Sequence, residues 1–258
     1  QADRLRELLS YPGELTVPGC YDAFSAIMVE KSGFPAAYMT GFGSSASVIG
    51  QPDTGLMDFT QMSNHAGNLA SCIGIPLIAD GDTGYGNAIN VYRTVKTYAK
   101  LGVAAIQLED QAAPKRCGHV QGKVLVPLKE MLGKLQAAKN AAAEKDIVII
   151  ARTDAVASEG LESTLERAEH YLETGIDVLF VEALTSSGQM RLVNERFSPR
   201  IPLMANMVEG GKTPLMSSQE LEEIGYSLVI FPGGYVRATA KLATRYFECL
   251  KKNGTTEP

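Results

Sequence analysis

The sequence has little that would engage a membrane or a nucleic acid. No apolar run in its 258 residues approaches the ~20 residues of a membrane span, and its first residues lack a signal-peptide pattern. Acids outnumber bases, 29 Asp and Glu against 24 Lys and Arg, for a net charge of −5. The bases are also scattered, which argues against a nucleic-acid surface. The four cysteines (Cys20, Cys72, Cys117 and Cys249) stand far apart with no CxxC pair. That excludes a disulfide framework and a structural zinc site, and it points to a reducing compartment such as the cytoplasm. Neither a dinucleotide fingerprint nor a Walker sequence is present. No linker, low-complexity run or charge block divides the chain, so residues 1–258 read as one domain.

What the chain does have is alternation. Short apolar, β-branched runs at 15–18, 36–40, 76–79, 104–108, 147–151, 178–181, 202–205 and 228–231 read as strands buried on both faces. Between them lie stretches of helical length at 21–31, 58–71, 88–101, 129–143, 161–174, 187–195 and 218–224, and another follows at 236–251. Eight strands and eight helices, with a mean repeat of roughly 30 residues, suit βαβ units. Gly33, Gly74, Gly102, Gly175 and Gly225 stand where left-handed C-caps would end helices. The expectation is a single α/β domain, a (β/α)₈ TIM-type barrel.

In such a barrel the chemistry gathers where the strands end. Those ends read Thr40-Gly41-Phe42-Gly43-Ser44-Ser45, Asp80-Gly81-Asp82, Glu109-Asp110, Arg152-Thr153-Asp154, Glu182, Asn206 and Pro232-Gly233-Gly234. Asp80 and Asp82, two apart with Glu109 on the next strand, repel one another unless a cation neutralises them. An all-oxygen set suits Mg²⁺, or Mn²⁺. The glycine- and hydroxyl-rich run 40–45 reads as a turn able to hold a carboxylate or phosphate. Cys20, Cys72 and Cys249 sit in apolar surroundings and read as core. Cys117 differs: between Lys115, Arg116 and His119 its thiolate would be stabilised, and Gly118 and Gly122 would let the segment move over a site.

Lys115-Arg116-Cys117-Gly118-His119 resembles the signature loop of the isocitrate lyase and phosphoenolpyruvate mutase superfamily. The resemblance extends over nearly the whole chain, through residues 18–23, 50–53, 80–86, 109–111, 151–154 and 206–214. It implies that Asp82 binds Mg²⁺ directly while Asp53, Asp80 and Glu109 hold its waters. Tyr38, Thr40, Gly41 and Phe42 would receive the 2-oxo or 2-hydroxy carboxylate end of the substrate. Arg152, Glu182 and Asn206 would complete the pocket, and residues 115–125 would form a gating loop.

Within that superfamily the cysteine of this loop marks lyases, so the implied reaction is retro-aldol cleavage of an alkylmalate or 2-methylisocitrate-like acid. Tyr38, or a metal-linked carboxylate or water, would be the base. Cys117 would protonate the second product, with Arg116, His119 and Arg152 offsetting the developing charge. Carboxyphosphonoenolpyruvate mutases share the loop, so a phosphonomutase is one alternative and an oxaloacetate-cleaving enzyme another. The latter is weakened because residues 232–235 offer no serine or threonine. The expected partner is a small carboxylic acid. The resemblance implies a homo-oligomer, commonly a tetramer, in which relatives exchange helices that lie beyond the position at which this sequence stops.

Overall fold

In the computed structural model, which describes residues 1–11, 13–116 and 122–256, eight parallel strands close into a barrel in chain order. They are β1 (Leu15–Cys20), β2 (Ala37–Met39), β3 (Leu77–Asp80), β4 (Ala105–Glu109), β5 (Val148–Thr153), β6 (Val178–Val181), β7 (Leu203–Asn206) and β8 (Leu228–Phe231). Strand β1 pairs with β8 from Leu15 opposite Leu228 to Pro18 opposite Phe231, which seals the cylinder. Every residue of β3, β4, β5 and β6 is buried, as continuous rather than alternating apolar strands require.

Alternate strand residues serve two layers. Val17, Tyr38, Ile78, Ile150, Phe180 and Ile230 fill the barrel interior. Met39, Ala79, Ile149, Leu179 and Val229 face outward and pack against the helices. Among the described residues there are eleven helices rather than eight. Those between the strands include α2 (Ala23–Lys31), α4 (Phe59–Cys72), α5 (Ala88–Lys100), α6 (Leu128–Glu144) and α8 (Leu161–Glu173). Capping boxes at Asp58 and Ser217 satisfy the otherwise unpaired first amides of α4 and α10 (Ser218–Ile224).

Three helices depart from the sequence expectation. The first, α1 (Ala2–Ser10), precedes the first strand. Its Leu5 is fully buried with Leu15, Ala36, Ala104 and Val148, so α1 closes the end at which the strands begin. The run 40–45 is no turn: Thr40 is the N-cap of α3 (Gly41–Val48), accepting from the Gly43 amide. Burial against the barrel overrides the poor helix propensity of its glycines and serines. The four-residue α7 (Val156–Glu159) directly precedes α8. Of the five glycines read as left-handed caps, Gly74 is not left-handed; its amide donates instead to Glu30 Oε1. The last helix, α11 (Gly234–Asn253), buries no residue, so Cys249 is only half-buried rather than core.

Candidate active site

A cleft of about 840 Å³ opens where the strands finish. Tyr38 reaches it from β2, Asp80 from β3, Arg152 from β5 and Asn206 from β7. The start of α3 supplies Thr40, Gly41 and Phe42, and loops add Asp53, Lys115 and Arg116. Leu56, Val208, Ile230 and Pro232 make an apolar wall. Ten of the sixteen candidate residues thus share one cavity. Asp82, Glu109 and Glu182 are buried just behind it, while Cys117, Gly118 and His119 lie outside the described residues.

The acids surround a lysine. Lys115 Nζ lies 2.5 Å from Asp53 Oδ1 and 2.7 Å from Asp82 Oδ1. Asp82 donates its amide to Asp80 Oδ1 at 3.0 Å, and its φ of 47° is one that Asp tolerates better than most side chains. Gly41 makes this packing possible. A Cβ there would come within 2.5 Å of Asp80 Oδ2.

Burial pushes Asp82 up to about 6 although Lys115 opposes it, because Asp80 and Asp53 add repulsion. Burial likewise holds Glu109 well above the carboxylate range against the pull of Arg152. Burial would neutralise Lys115, but Asp82, Asp80, Asp53 and Glu109 outweigh it and keep the ammonium charged. Tyr38 donates its hydroxyl to Gln107 Oε1 at 3.0 Å. Burial, reinforced by Asp80, holds that phenol well above its ordinary range, so it stays neutral.

Could these acids hold a cation? Among the described residues, no three Asp, Glu, His or Cys side chains converge on one point. A divalent ion would therefore meet one or two carboxylates directly and the rest through water, which is the habit of Mg²⁺. Glu109 Oε1 is buried without a hydrogen-bond partner, an acceptor such a water shell would satisfy. The donor set fits.

The second cluster centres on Arg152, which lies over the Phe180 ring at 5.3 Å. Its Nε is 2.9 Å from Asp154 Oδ2 and its Nη2 is 3.1 Å from Asp154 Oδ1. Glu109 is 3.4 Å away and Glu182 is 3.8 Å away. Asn206 Nδ2 donates to Glu182 Oε2 at 3.0 Å. Lys123 adds its ammonium to Asp154 Oδ1 at 2.6 Å. Burial pushes Asp154 up, but Arg152 and Lys123 more than offset it and hold the carboxyl at about 2.

The loop after β4 is tied at both legs. Gln111 and Leu125 form an antiparallel bridge. The Gln111 amide both donates to the Arg116 carbonyl (2.8 Å) and accepts from the Arg116 N–H (2.9 Å). Sequence reasoning made none of Gln107, Gln111, Lys123 and Asp154 a candidate site residue, although Asp154 stood among the strand ends, Gln111 in the stretch 109–111 and Lys123 in the stretch 115–125. It also left out the pair at the cleft mouth, where Arg237 Nη1 meets Glu209 Oε2 at 2.8 Å. For Asp154 a signal existed, since it stands two residues from Arg152, just past the end of β5. For Lys123 the signal was its place in the stretch 115–125, with nothing to name Asp154 as its partner.

A closed barrel whose strand ends gather carboxylates, guanidinium and ammonium around a cleft has the layout of a (β/α)₈ enzyme, with its functional groups where the strands end. The sequence profile of the phosphoenolpyruvate phosphomutase family matches residues 5–251, and the chain belongs to that family within the phosphoenolpyruvate mutase/isocitrate lyase superfamily. It is 45% identical over 257 residues to a 2,3-dimethylmalate lyase of Eubacterium barkeri, covering 99% of this chain and 88% of that one. It is 44% identical over 256 residues to a 2-methylisocitrate lyase of Halalkalibacterium halodurans, covering 99% and 84%. A crystal structure of 2,3-dimethylmalate lyase superposes with a TM-score of 0.95 at 39% identity, covering 99% and 86%. With such relatives, the chain is an enzyme of the lyase kind.

Proposed function

We propose that residues 1–258 act as one catalytic unit, cleaving the C2–C3 bond of a 2-hydroxy dicarboxylate or tricarboxylate of the alkylmalate or 2-methylisocitrate type. The observation that carries this reading is the pairing, in one cleft, of an acid cluster with a cluster of cations. Asp53, Asp80 and Asp82 surround Lys115 on one side, and Arg152 stands on the other. Relatives named as lyases of such acids support it.

Mg²⁺ is the proposed cofactor (Mn²⁺ a substitute), with Asp82 the direct ligand and Asp53, Asp80 and Glu109 reaching it through water. When bound, such an ion lowers the pKa of a hydroxyl and stabilises an oxo acid. The chain's own residues do the remainder. Arg152, with Asn206 fixing Glu182 beside it, receives a substrate carboxylate. Because the Tyr38 proton is committed to Gln107, the substrate's hydroxyl proton passes to a carboxylate of the acid cluster rather than to Tyr38. The C2–C3 electron pair then stays on the departing carbon as an enolate whose charge Arg116, His119 and Arg152 offset, and Cys117 protonates it.

Pyruvate and 2-oxo-acid release is to be screened over 2,3-dimethylmalate, other alkylmalates, 2-methylisocitrate, oxaloacetate and phosphonopyruvate. Release from an alkylmalate or 2-methylisocitrate, abolished by chelator, is expected. Turnover of phosphonopyruvate alone, or full activity in excess chelator, would overturn the proposal. Cys117→Ser is expected to lower kcat by about 10²–10⁴, the scale of a positioned acid, with Mg²⁺ affinity unchanged by calorimetry.

We further propose a homo-oligomer, a tetramer by resemblance. The bare apolar face of α11, with Leu242 67% and Phe247 62% exposed, supports this. The unpaired thiols of Cys20, Cys72 and Cys249 support a cytoplasmic setting. No helix among the described residues is long and apolar enough to cross a membrane.

A further inference from the structure

Arg152 lines the cleft, whereas Lys123 and Asp154 do not. Yet Lys123, on the returning leg of the loop, and Asp154, just past the end of β5, form an almost fully buried ion pair near it. Their side chains are 1% and 0% exposed and 2.6 Å apart. Asp154 Oδ1 is shared. It takes Lys123 Nζ and, at 3.1 Å, Arg152 Nη2, while Oδ2 takes Arg152 Nε at 2.9 Å. The backbone N–H of Asp154 donates to Asp110 Oδ1 at 2.9 Å. Asp110 is itself held by the Tyr171 hydroxyl at 2.7 Å and faces Arg167 at 3.5 Å. The residue that carries the shared carboxylate is therefore fixed from beneath.

We propose that Asp154 is a positioning residue that couples the returning leg of the loop to the substrate-binding strength of Arg152, with Lys123 as the other half of the device.

The physical reason is competition for one negative charge. Arg152 faces Asp154, Glu109 and Glu182 together, so an incoming carboxylate must compete with acids already in place. Lys123 draws on Asp154 from the loop side, and in a buried site that attraction is little screened. With Lys123 seated, less of Asp154 is available to hold Arg152, and the guanidinium serves the substrate better. With Lys123 withdrawn, Asp154 and Arg152 close into an exclusive bidentate pair. A seated Lys123 would thus strengthen the grip of the cleft floor without touching the ligand. A plain staple, in which the Lys123–Asp154 pair only holds the loop down, would make the same contacts but leave Arg152 indifferent to Lys123.

This inference rests on the reading of Arg152 as the substrate's carboxylate partner. Oxalate is the probe, because it presents carboxylates to the cleft and has no C2–C3 bond to cleave. Its affinity for the full chain in saturating Mg²⁺ is to be measured by calorimetry for the wild type, Lys123→Met, Asp154→Asn and the double variant. Lys123→Met is expected to weaken oxalate about tenfold, within the range of coupled neighbours, and to raise KM by a similar factor with a smaller change in kcat. In the Asp154→Asn background the same replacement is expected to change affinity by less than about twofold, the additivity seen when no coupling remains.

An equal loss in both backgrounds, or oxalate bound by Lys123→Met as by the wild type, would overturn the coupling. A wild type that fails to bind oxalate would instead overturn the reading of Arg152 on which it rests. Lys123→Gln keeps a donor toward Asp154 without the charge and guards against a folding defect in the methionine variant. It is expected to weaken oxalate in the same direction, and unchanged affinity in that variant would also sink the proposal.

Discussion

Asp154 carries opposing effects of known sign. Burial disfavours its charge, but Arg152 and Lys123 win and hold the carboxyl at about 2, below the ~3.9 of an unfolded aspartate. A group depressed in the folded state stabilises above its unfolded pKa, and the contribution is lost as pH falls through the folded one. Asp154→Asn is therefore expected to cost about 3–5 kcal/mol near neutrality, the scale for breaking a buried pair. The gap to the wild type should then narrow as pH falls from about 4 toward 2. Urea unfolding at several pH values measures it; a gap independent of pH would refute the assignment. Gly41 is sensitive for a steric reason: its missing side chain leaves room for Asp80 Oδ2. Gly41→Ala should displace that carboxylate, lowering kcat/KM by about 10², the penalty for a misplaced group, and raising the Mg²⁺ concentration needed for half-activity. At this scale Asp80, Glu109 and Arg152 were readable because each stands at or next to the end of a strand, whereas Asp53, on the loop after α3, came only from the family resemblance. Gln107 was hidden because, one step below Glu109, it looks in sequence like any polar interruption of an apolar run.

Elements were more legible than their ends. The eight strands fall where apolar, β-branched runs predict them, because burial on both faces leaves little alternative. Helix α3 was missed because Gly41, Gly43, Ser44 and Ser45 favour turns locally. What makes it helical is the Thr40 cap and the burial of those small residues against the barrel, neither of which is a property of the segment alone. Helix α1 was missed for another reason. It belongs to no βα repeat, although Leu5, Leu8 and Leu9 mark an apolar face. Because Leu5 is fully buried at the barrel's closed end, Leu5→Ala is expected to cost about 2–5 kcal/mol, read from chemical denaturation, while leaving KM unchanged. A shift in KM would mean that the two ends of the barrel communicate.

At the scale of the whole molecule, α11 is anomalous. It is twenty residues long and buries none of them, yet it carries Leu242, Tyr246, Phe247 and Leu250 on its surface. Phe247→Glu is expected to leave monomer stability within about 0.5 kcal/mol, as at other exposed positions, while shifting sedimentation from an oligomer toward a single chain. A wild type that sediments as a single chain would remove the argument. The closed end has a further consequence. Since α1 covers the side on which the strands begin, the way in that the described residues leave is the cleft lined by Leu56 and Val208. A cleavage turns one visitor into two, and both must queue for the same doorway. Under the proposed cleavage the fragment held deepest would leave last, so it is expected to compete with the next substrate, which product-inhibition kinetics would show.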